Sequence, residues 1–566
     1  SGIADGPRTA TFRAMLPSRT SWDRALRMPL AAFTTSSRTP VCTLAVTAVA
    51  LLLTPLRAEA RVTLIGVDGA SWSVIDPMLA AHELPNLAAL IERGVSAGLE
   101  TVEPVTSPVV WTSIATGRSP SAHGVTDFFA TRLSIRVPSS FERLAHRGLK
   151  VGLYDYLVTW PPAAWRGGFV IPGWLRRDDS RTPEDVWERV GLEPFVNSFD
   201  GAMTSRDYLE RAELDVSHKA ERWNALAAEF ELDVGAVSFY AVDMTSHRFW
   251  EAAFPDQFEH GADGYTERER NAIANAMRGV DRSIGEIVGP LAADDTVLIC
   301  SDHGFRADPE GGRDVWVTDL SGALARRDLV EARDGFSVVG TFGAVAIRIH
   351  PGPIEARDGL IDELLALLRS FRSPDGDALF AIVEAIDIAD RPPDAQRGWL
   401  ERIRQWIVQA AAELVFDVNF DSSAQAVIFA LPDRDAMRAL WPDGLIRVDD
   451  ATLPIRTTLH RQRFTGTHDP IGIFVAAGGP IATHTGRGRL SVLDIAPLVF
   501  YAAGQPIPDD LEGSVPADWI RPEHWAANPP EMVPASMFPA ISEGGTSADG
   551  QDPALIEKLR SLGYLD

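Results

Sequence analysis

Cysteine is scarce in this chain of 566 residues, with only Cys42 and Cys300. Neither belongs to a closely spaced pair, which excludes a disulfide framework and a thiolate zinc site. Basic residues are also in short supply: 53 Lys and Arg face 78 Asp and Glu, for a formal net charge of -25. Nucleic-acid duplexes and anionic membrane surfaces are therefore unsuitable partners. An acidic protein that handles phosphate has to supply positive charge at the site itself, and metal ions are the usual means. The apolar run Val41–Leu53 has 13 residues, short of the roughly 20 needed to span a bilayer. What remains is an ordinary globular composition, 45% apolar, with room for two to four domain-sized units or one large core with insertions.

Residues 1–60 do not read as part of the fold. Seven arginines against three acids, the Val41–Leu53 run and then Ala58-Glu59-Ala60 give a basic region, a short apolar region and an A-x-A site, the pattern of a secretory signal. An uncleaved N-terminal anchor is the alternative. Cleavage after Ala60 leaves Cys300 as the sole cysteine. The expected location is periplasmic or secreted, with no stable membrane span after cleavage.

From Arg61 the pattern is α/β. Continuous apolar runs at Val62–Val67, Val151–Leu157, Val234–Val242, Thr296–Ser301 and Ile471–Gly478 read as buried strands. Helical stretches stand between them, including one with Leu84, Leu87, Leu90 and Ile91 on one face and another over about Glu267–Leu291. Such alternation predicts an α/β fold, a mostly parallel central sheet with helices on both faces. Residues 61–315 and 464–566 are expected to form the catalytic core and its C-terminal tail. Residues 316–463, with Val345–His350, Ala426–Leu431 and helices at Ile354–Phe371 and around Trp399–Val415, are expected to form an inserted α+β cap subdomain. A short helix at Pro553–Leu562 closes the chain. The segment Tyr154–Trp174, rich in aromatics, Pro and Gly, packs a loop or walls a pocket.

One stretch, Val105–Gly124, organises the rest. Ser107 reads as an N-cap and Pro108 as the first helical residue. Val110, Trp111, Ile114 and Ala115 supply a buried face, and Gly117 a stop. A hydroxyl at a helix N-terminus sits where phosphate binds readily. Thr106 and Thr112 are rival hydroxyls; Thr112 falls inside the helix, where no free N–H faces a ligand, and is excluded.

Three apolar runs end in an acid: Asp68, Asp243 and Asp302. Ligands of open α/β sheets bind outside the carboxyl ends of the strands, and three carboxylates gathered there repel one another unless a cation holds them. Asp243 and His247 are four apart, on one face of a helical turn. Asp302 and His303 are adjacent, and His468 precedes the last run. Aspartate and histidine without cysteine are the donors of a catalytic zinc or manganese site. Alone, each pair is weak; together they predict two divalent metal ions, zinc with manganese as the alternative, clamping the attacking and leaving oxygens of an in-line displacement. Ser107 is then the nucleophile and forms a phosphoserine that water releases.

The segments VTLIGVDG, SPVVWTSIATGRSPSAHG, AVDMTSH, SDHGF and GTHDPIGIFVAAG, in this order, resemble the alkaline phosphatase superfamily, and within it the type I phosphodiesterase/nucleotide pyrophosphatase family. The resemblance covers about Val62–Phe305 and Thr465–Tyr501. It implies an alkaline-phosphatase-like fold, one metal held by Asp68, Ser107, Asp302 and His303, and another by Asp243, His247 and His468. In that family the nucleophile stands ten residues before the Gly of a Thr-Gly pair, which is Ser107 relative to Gly117. The phosphate-binding Asn of the nucleotide pyrophosphatases has no counterpart in the Pro108–Trp111 stretch, so a nucleotide diester preference does not carry over. The C/S-x-P-x-R motif of sulfatases is absent too.

The function these features imply is an exported phosphohydrolase or phosphodiesterase acting on a small-molecule phosphate ester. A phosphotransferase or phosphomutase of the same superfamily is the enzymatic alternative. A non-catalytic surface-binding protein, suggested by 15 Trp, is the alternative from another class. His123 is expected to order the turn after the Ser107 helix.

Overall fold

The run Val62–Val67 (β1) pairs in parallel on both sides and lies inside an eight-stranded sheet. The computed structural model describes residues 60–538 except 129, 177, 196–204, 260–263, 319, 328, 330–335, 342–343, 350–353, 388–425, 441–442 and 485. The Val41–Leu53 run and the helices expected around Trp399–Val415 and at Pro553–Leu562 lie outside the described residues. The other sheet strands are Gly94–Glu100 (β2), Val151–Tyr156 (β3), Phe169–Pro172 (β4), Val234–Phe239 (β5), Thr296–Cys300 (β6), Ile471–Gly478 (β7) and Arg487–Ser491 (β8). Their order is β8-β2-β7-β6-β1-β5-β3-β4. Strand β7 runs antiparallel to both neighbours, and every other pairing is parallel. The sheet is mostly parallel, as its apolar runs imply.

Those runs are continuous because both faces are covered. Val62 and Leu64 face a core shared with the helices Ser107–Thr116, Ser140–His146 and Ile495–Ala502. Ile65 and Val67 face a second core with Trp72–Ala80, Pro85–Glu92, Ser205–Glu229 and Ala272–Val288. Strands β5, β6 and β7 divide their residues between the two cores with the same period of two. Among the described residues no helix is long and apolar enough to cross a membrane.

Three boundaries differ from expectation. The run Val234–Val242 is a strand only to Phe239; Tyr240 caps a helix, Ala241–Ala253, and Asp243 lies in its first turn. Tyr240, Ala241 and Val242 are as buried as the strand before them, so hydrophobicity carries no mark of the junction. The stretch Glu267–Leu291 is two helices, Glu267–Arg270 and Ala272–Val288. Strand β7 is not the last of the sheet: β8, RGRLS, follows on the edge with Arg487 and Arg489 exposed, a polar edge strand without an apolar run.

Between β6 and β7 the chain leaves the sheet on Gly304–Ala307 and returns on Gly466–Asp469, antiparallel to it. Beyond these, Arg313–Thr318 pairs antiparallel with Leu459–Phe464. This double-stranded stem carries a four-stranded antiparallel sheet, in the order Phe380–Asp387, Ala426–Pro432, Ala344–Ile349, Phe336–Thr341. The helix Ile354–Arg369 packs on it around a separate core that includes Ile347, Leu364, Leu368 and Ile428.

Gly66 marks a close approach in β1. A Cβ there would stand 2.6 Å from Cη2 of Trp111 on the Ser107–Thr116 helix. Gly66→Ala is therefore expected to displace that indole at a cost of about 1–3 kcal/mol, read as a lower urea midpoint; an unchanged midpoint would mean that the ring is not held there.

Candidate metal centre

Parallel pairing puts the carboxyl ends of β6, β1 and β5 on one edge of the sheet. Asp68 directly follows β1, and Asp302 and His303 follow β6 by two and three residues. Past the end of β5, the first two turns of the Ala241–Ala253 helix bring Asp243 and His247 to the same edge. Because β7 is antiparallel, its start lies there too, with His468 three residues before it. Strand β2, antiparallel to β7, ends at that edge and leads to the Ser107–Thr116 helix.

All seven residues converge. One ligand atom each from Asp68, Asp302 and His303 lie within 4.8 Å of one another, and the same holds for Asp243, His247 and His468. Ser107 Oγ adjoins the first group, 3.5 Å from Asp68 Oδ1 and 3.4 Å from His303 Nε2. The groups are contiguous: His303 Nε2 is 3.9 Å from Asp243 Oδ1, and the His303 and His468 rings stack at 3.7 Å. Two details correct the local expectation at Ser107. It is the first helical residue, and Thr106 is the N-cap. The helix starts there because the Thr106 carbonyl accepts the N–H groups of Val109 and Val110. Gly117, at φ 63, ends the helix as expected. Thr112 donates to the Pro108 carbonyl at 2.6 Å, wholly inside the helix.

The donor set fits divalent metal. Each imidazole faces a backbone carbonyl through Nδ1: His303 meets Gly304 O at 3.1 Å, His468 meets Val105 O at 2.7 Å and His247 meets Gly466 O at 3.3 Å. A carbonyl only accepts, so the proton sits on Nδ1 and each Nε2 lone pair faces the cluster. Nε2 of His468 lies 3.1 Å from Nε2 of His247, a close approach of two lone pairs that a cation relieves. Burial pushes the pKa of His303 down to about 3, and burial together with the neighbouring His303 does the same to His468. Both rings are held neutral at any ordinary pH. The carboxylates are shifted the other way. Burial, then the charges of Asp302 and Asp243, holds Asp68 well above the usual range, and burial raises Asp302 to about 6. Asp302 Oδ1 accepts the Gly69 N–H at 3.3 Å, whereas its buried Oδ2 has no hydrogen-bond partner among the described residues.

One contact of the centre is not evident from motif spacing. The Trp111 indole N–H donates to Asp68 Oδ2 at 3.0 Å, leaving Oδ1 toward Ser107 and His303. Trp111 stands one turn beyond Ser107, so helical periodicity places it on the same side, but the sequence marks it only as an apolar packing residue. His123 orders the following turn, its Nε2 2.9 Å from Ser113 Oγ and its Nδ1 accepting the Val125 N–H.

The family model for type I phosphodiesterase / nucleotide pyrophosphatase matches residues 62–391. Among solved structures, human ectonucleotide pyrophosphatase / phosphodiesterase 5 is 13% identical, with a TM-score of 0.35 over 80% of this chain and 97% of its own. Phosphonoacetate hydrolase from Sinorhizobium meliloti 1021, in complex with phosphonoacetate, is 14% identical, with a TM-score of 0.38 over 79% of this chain and 96% of its own. No curated protein sequence matches the chain.

The raised pKa of Asp302 gives it a definite share in the pH response of the metal-free protein. Asp302 folded keeps its proton up to about 6, whereas an unfolded aspartate loses it near 4. Its contribution to stability is therefore complete below about pH 4 and lost as pH rises through 6. His303 and His468, neutral in the fold but protonated below about 6.5 when unfolded, push stability the other way. The share of Asp302 is therefore read against Asp302→Asn: between pH 5 and 7.5 the Tm of chelator-treated parent is expected to fall more, or rise less, than that of the variant. A Tm that rises over this interval in the parent but not in the variant would contradict the assignment.

Proposed function

The chain belongs to the type I phosphodiesterase/nucleotide pyrophosphatase family of metal-dependent phosphoric ester hydrolases, and from that premise we propose that it cleaves a small phosphate ester with Ser107 as nucleophile and two divalent cations as cofactors. Asp68, Asp302 and His303, with Ser107, hold the first ion; Asp243, His247 and His468 hold the second. The observation that carries this is the convergence of two three-residue ligand groups on one serine hydroxyl. Zinc suits the mixed carboxylate and imidazole donors, and manganese is the alternative.

Bound cations at such a centre polarise phosphoryl oxygens and lower the pKa of a coordinated hydroxyl. The protein's own groups do the rest. Asp68, oriented by the Trp111 N–H, and His303, oriented by the Gly304 carbonyl, fix the place of Ser107 Oγ. Ser107 gives its hydroxyl proton to solvent and the oxygen attacks phosphorus; the ester P–O bond breaks, and the leaving oxygen takes a proton from solvent. The N-terminus of the Ser107–Thr116 helix favours the negative phosphoryl oxygens. Water then attacks the phosphoserine, the bond from phosphorus to Oγ breaks, and Ser107 recovers its proton. Membership of a hydrolase family sets aside the reading as a non-catalytic binding protein.

The inserted residues 316–463 form a cap that, with 154–230, selects the substrate, and the N-terminal segment 1–60 directs export to the periplasm or beyond. Ser107→Ala is expected to abolish turnover of an aryl phosphate ester while leaving metal content intact; retained activity would move the nucleophile to Thr106. His468→Ala is expected to lose about one metal equivalent and about a hundredfold in rate, measured by elemental analysis and steady-state assay. Unchanged metal content in that variant would contradict the ligand set.

A further inference from the structure

Lys219, Asp155 and Asp215 are each fully enclosed, at 0% exposure. Lys219 Nζ is 2.6 Å from Asp155 Oδ2 and in contact with Asp215 Oδ1. It also donates to the Ser238 carbonyl at 2.7 Å and lies over the Tyr240 ring. Burial works to discharge this lysine, but Asp155 and Asp215 outweigh it and hold its pKa above the ordinary value. A buried ion cluster is often no more stable than packed apolar side chains of the same volume. What the cluster touches gives it a use.

Asp215 Oδ2 accepts the N–H of Tyr240 at 2.7 Å and of Ala241 at 2.9 Å. These are the N-cap and first residues of the Ala241–Ala253 helix, whose own N-cap side chain makes no capping bond. Asp243 and His247 follow on that helix within two turns. The Lys219 bond to Ser238 ties the same cluster to the end of β5, and the Tyr240 hydroxyl donates to the Asp155 carbonyl at the end of β3. The first ligand group is placed mainly by β1 and β6 pairing, by Trp111 and by the Gly69 N–H, and meets the end of β5 through the backbone, where the Asp68 N–H donates to the Phe239 carbonyl at 2.9 Å.

We infer that Asp215, held by Lys219 and Asp155, is a positioning residue for the Asp243–His247–His468 group and not for the Asp68–Asp302–His303 group. It acts as a remote N-cap, setting the axial position and rotation of the helix that presents two of those three ligands. The inference rests on the two-ion site proposed above.

The test is zinc titration of the metal-free full-length protein against a competing chelator, in the parent, Asp215→Ala, Asp215→Asn and His468→Ala. In Asp215→Ala one equivalent is expected to bind as in the parent and the other about tenfold or more weakly, the same equivalent that His468→Ala loses. Asp215→Asn, which keeps an oxygen to accept the two N–H groups, is expected to stay within about threefold of the parent. Should Asp215→Ala fold poorly, the triple variant Asp155→Asn/Asp215→Leu/Lys219→Met replaces the cluster by neutral side chains of similar volume and is expected to show the same selective weakening. Equal weakening of both equivalents, or weakening of neither, overturns the inference. A parent that binds a single equivalent overturns the two-ion proposal instead; the positioning role then stands or falls on whether Asp215→Ala weakens that equivalent as His468→Ala does.

Discussion

Three aspartates buried side by side are the constraint on which the structure turns. Asp68, Asp243 and Asp302 are all but inaccessible to water. Charges so placed repel strongly in a medium of low polarisability. The protein leaves the conflict in place: burial raises Asp68 and Asp302 toward the protonated state and keeps His303 and His468 neutral, each with a proton only on Nδ1. Such a cluster is strained alone and at ease around cations, which is what a family of metal-dependent hydrolases requires.

The sheet solves the geometric half of the problem. Parallel strands deliver Asp68, Asp302 and the start of the Asp243 helix to one edge, and the single reversed strand β7 brings His468 to that edge from the opposite chain direction. Backbone carbonyls of Gly304, Gly466 and Val105 then orient the three rings. Ser107, Asp243, His247 and His468 stand on helices or a strand, and Asp68, Asp302 and His303 lie within three residues of a strand end.

Much of this was legible in the sequence because burial on both faces turns core strands into unbroken apolar runs; β1 and β7 match them residue for residue. The seven motif residues could be named because their types and their places at strand ends repeat a known order. What escaped did so for physical reasons. Strands β2, of small residues, and β8, of polar ones, carry no apolar signature. The strand–helix junction at Tyr240 is buried throughout, so nothing polar marks it. Trp111 looks like a core residue and is one, with a single N–H that matters. Asp215 and Lys219 stand one turn apart on the Ser205–Glu229 helix, but Asp155 is far off in sequence on β3, and only the packing of that helix against the sheet reveals that the three share a site.

The stem of the insertion has a consequence for how this molecule can vary. Its outgoing and returning strands, Arg313–Thr318 and Leu459–Phe464, are hydrogen-bonded neighbours, so to the catalytic sheet everything beyond them is the tip of a hairpin. Arg463 fastens the base of that stem to the core by gripping Glu251 and the Gly311 carbonyl. Whole modules of other size and shape could be grafted at this neck without changing the distance between its two ends, so the insertion is a cassette that can be exchanged while the strands that carry or flank Asp302, His303 and His468 stay where they are.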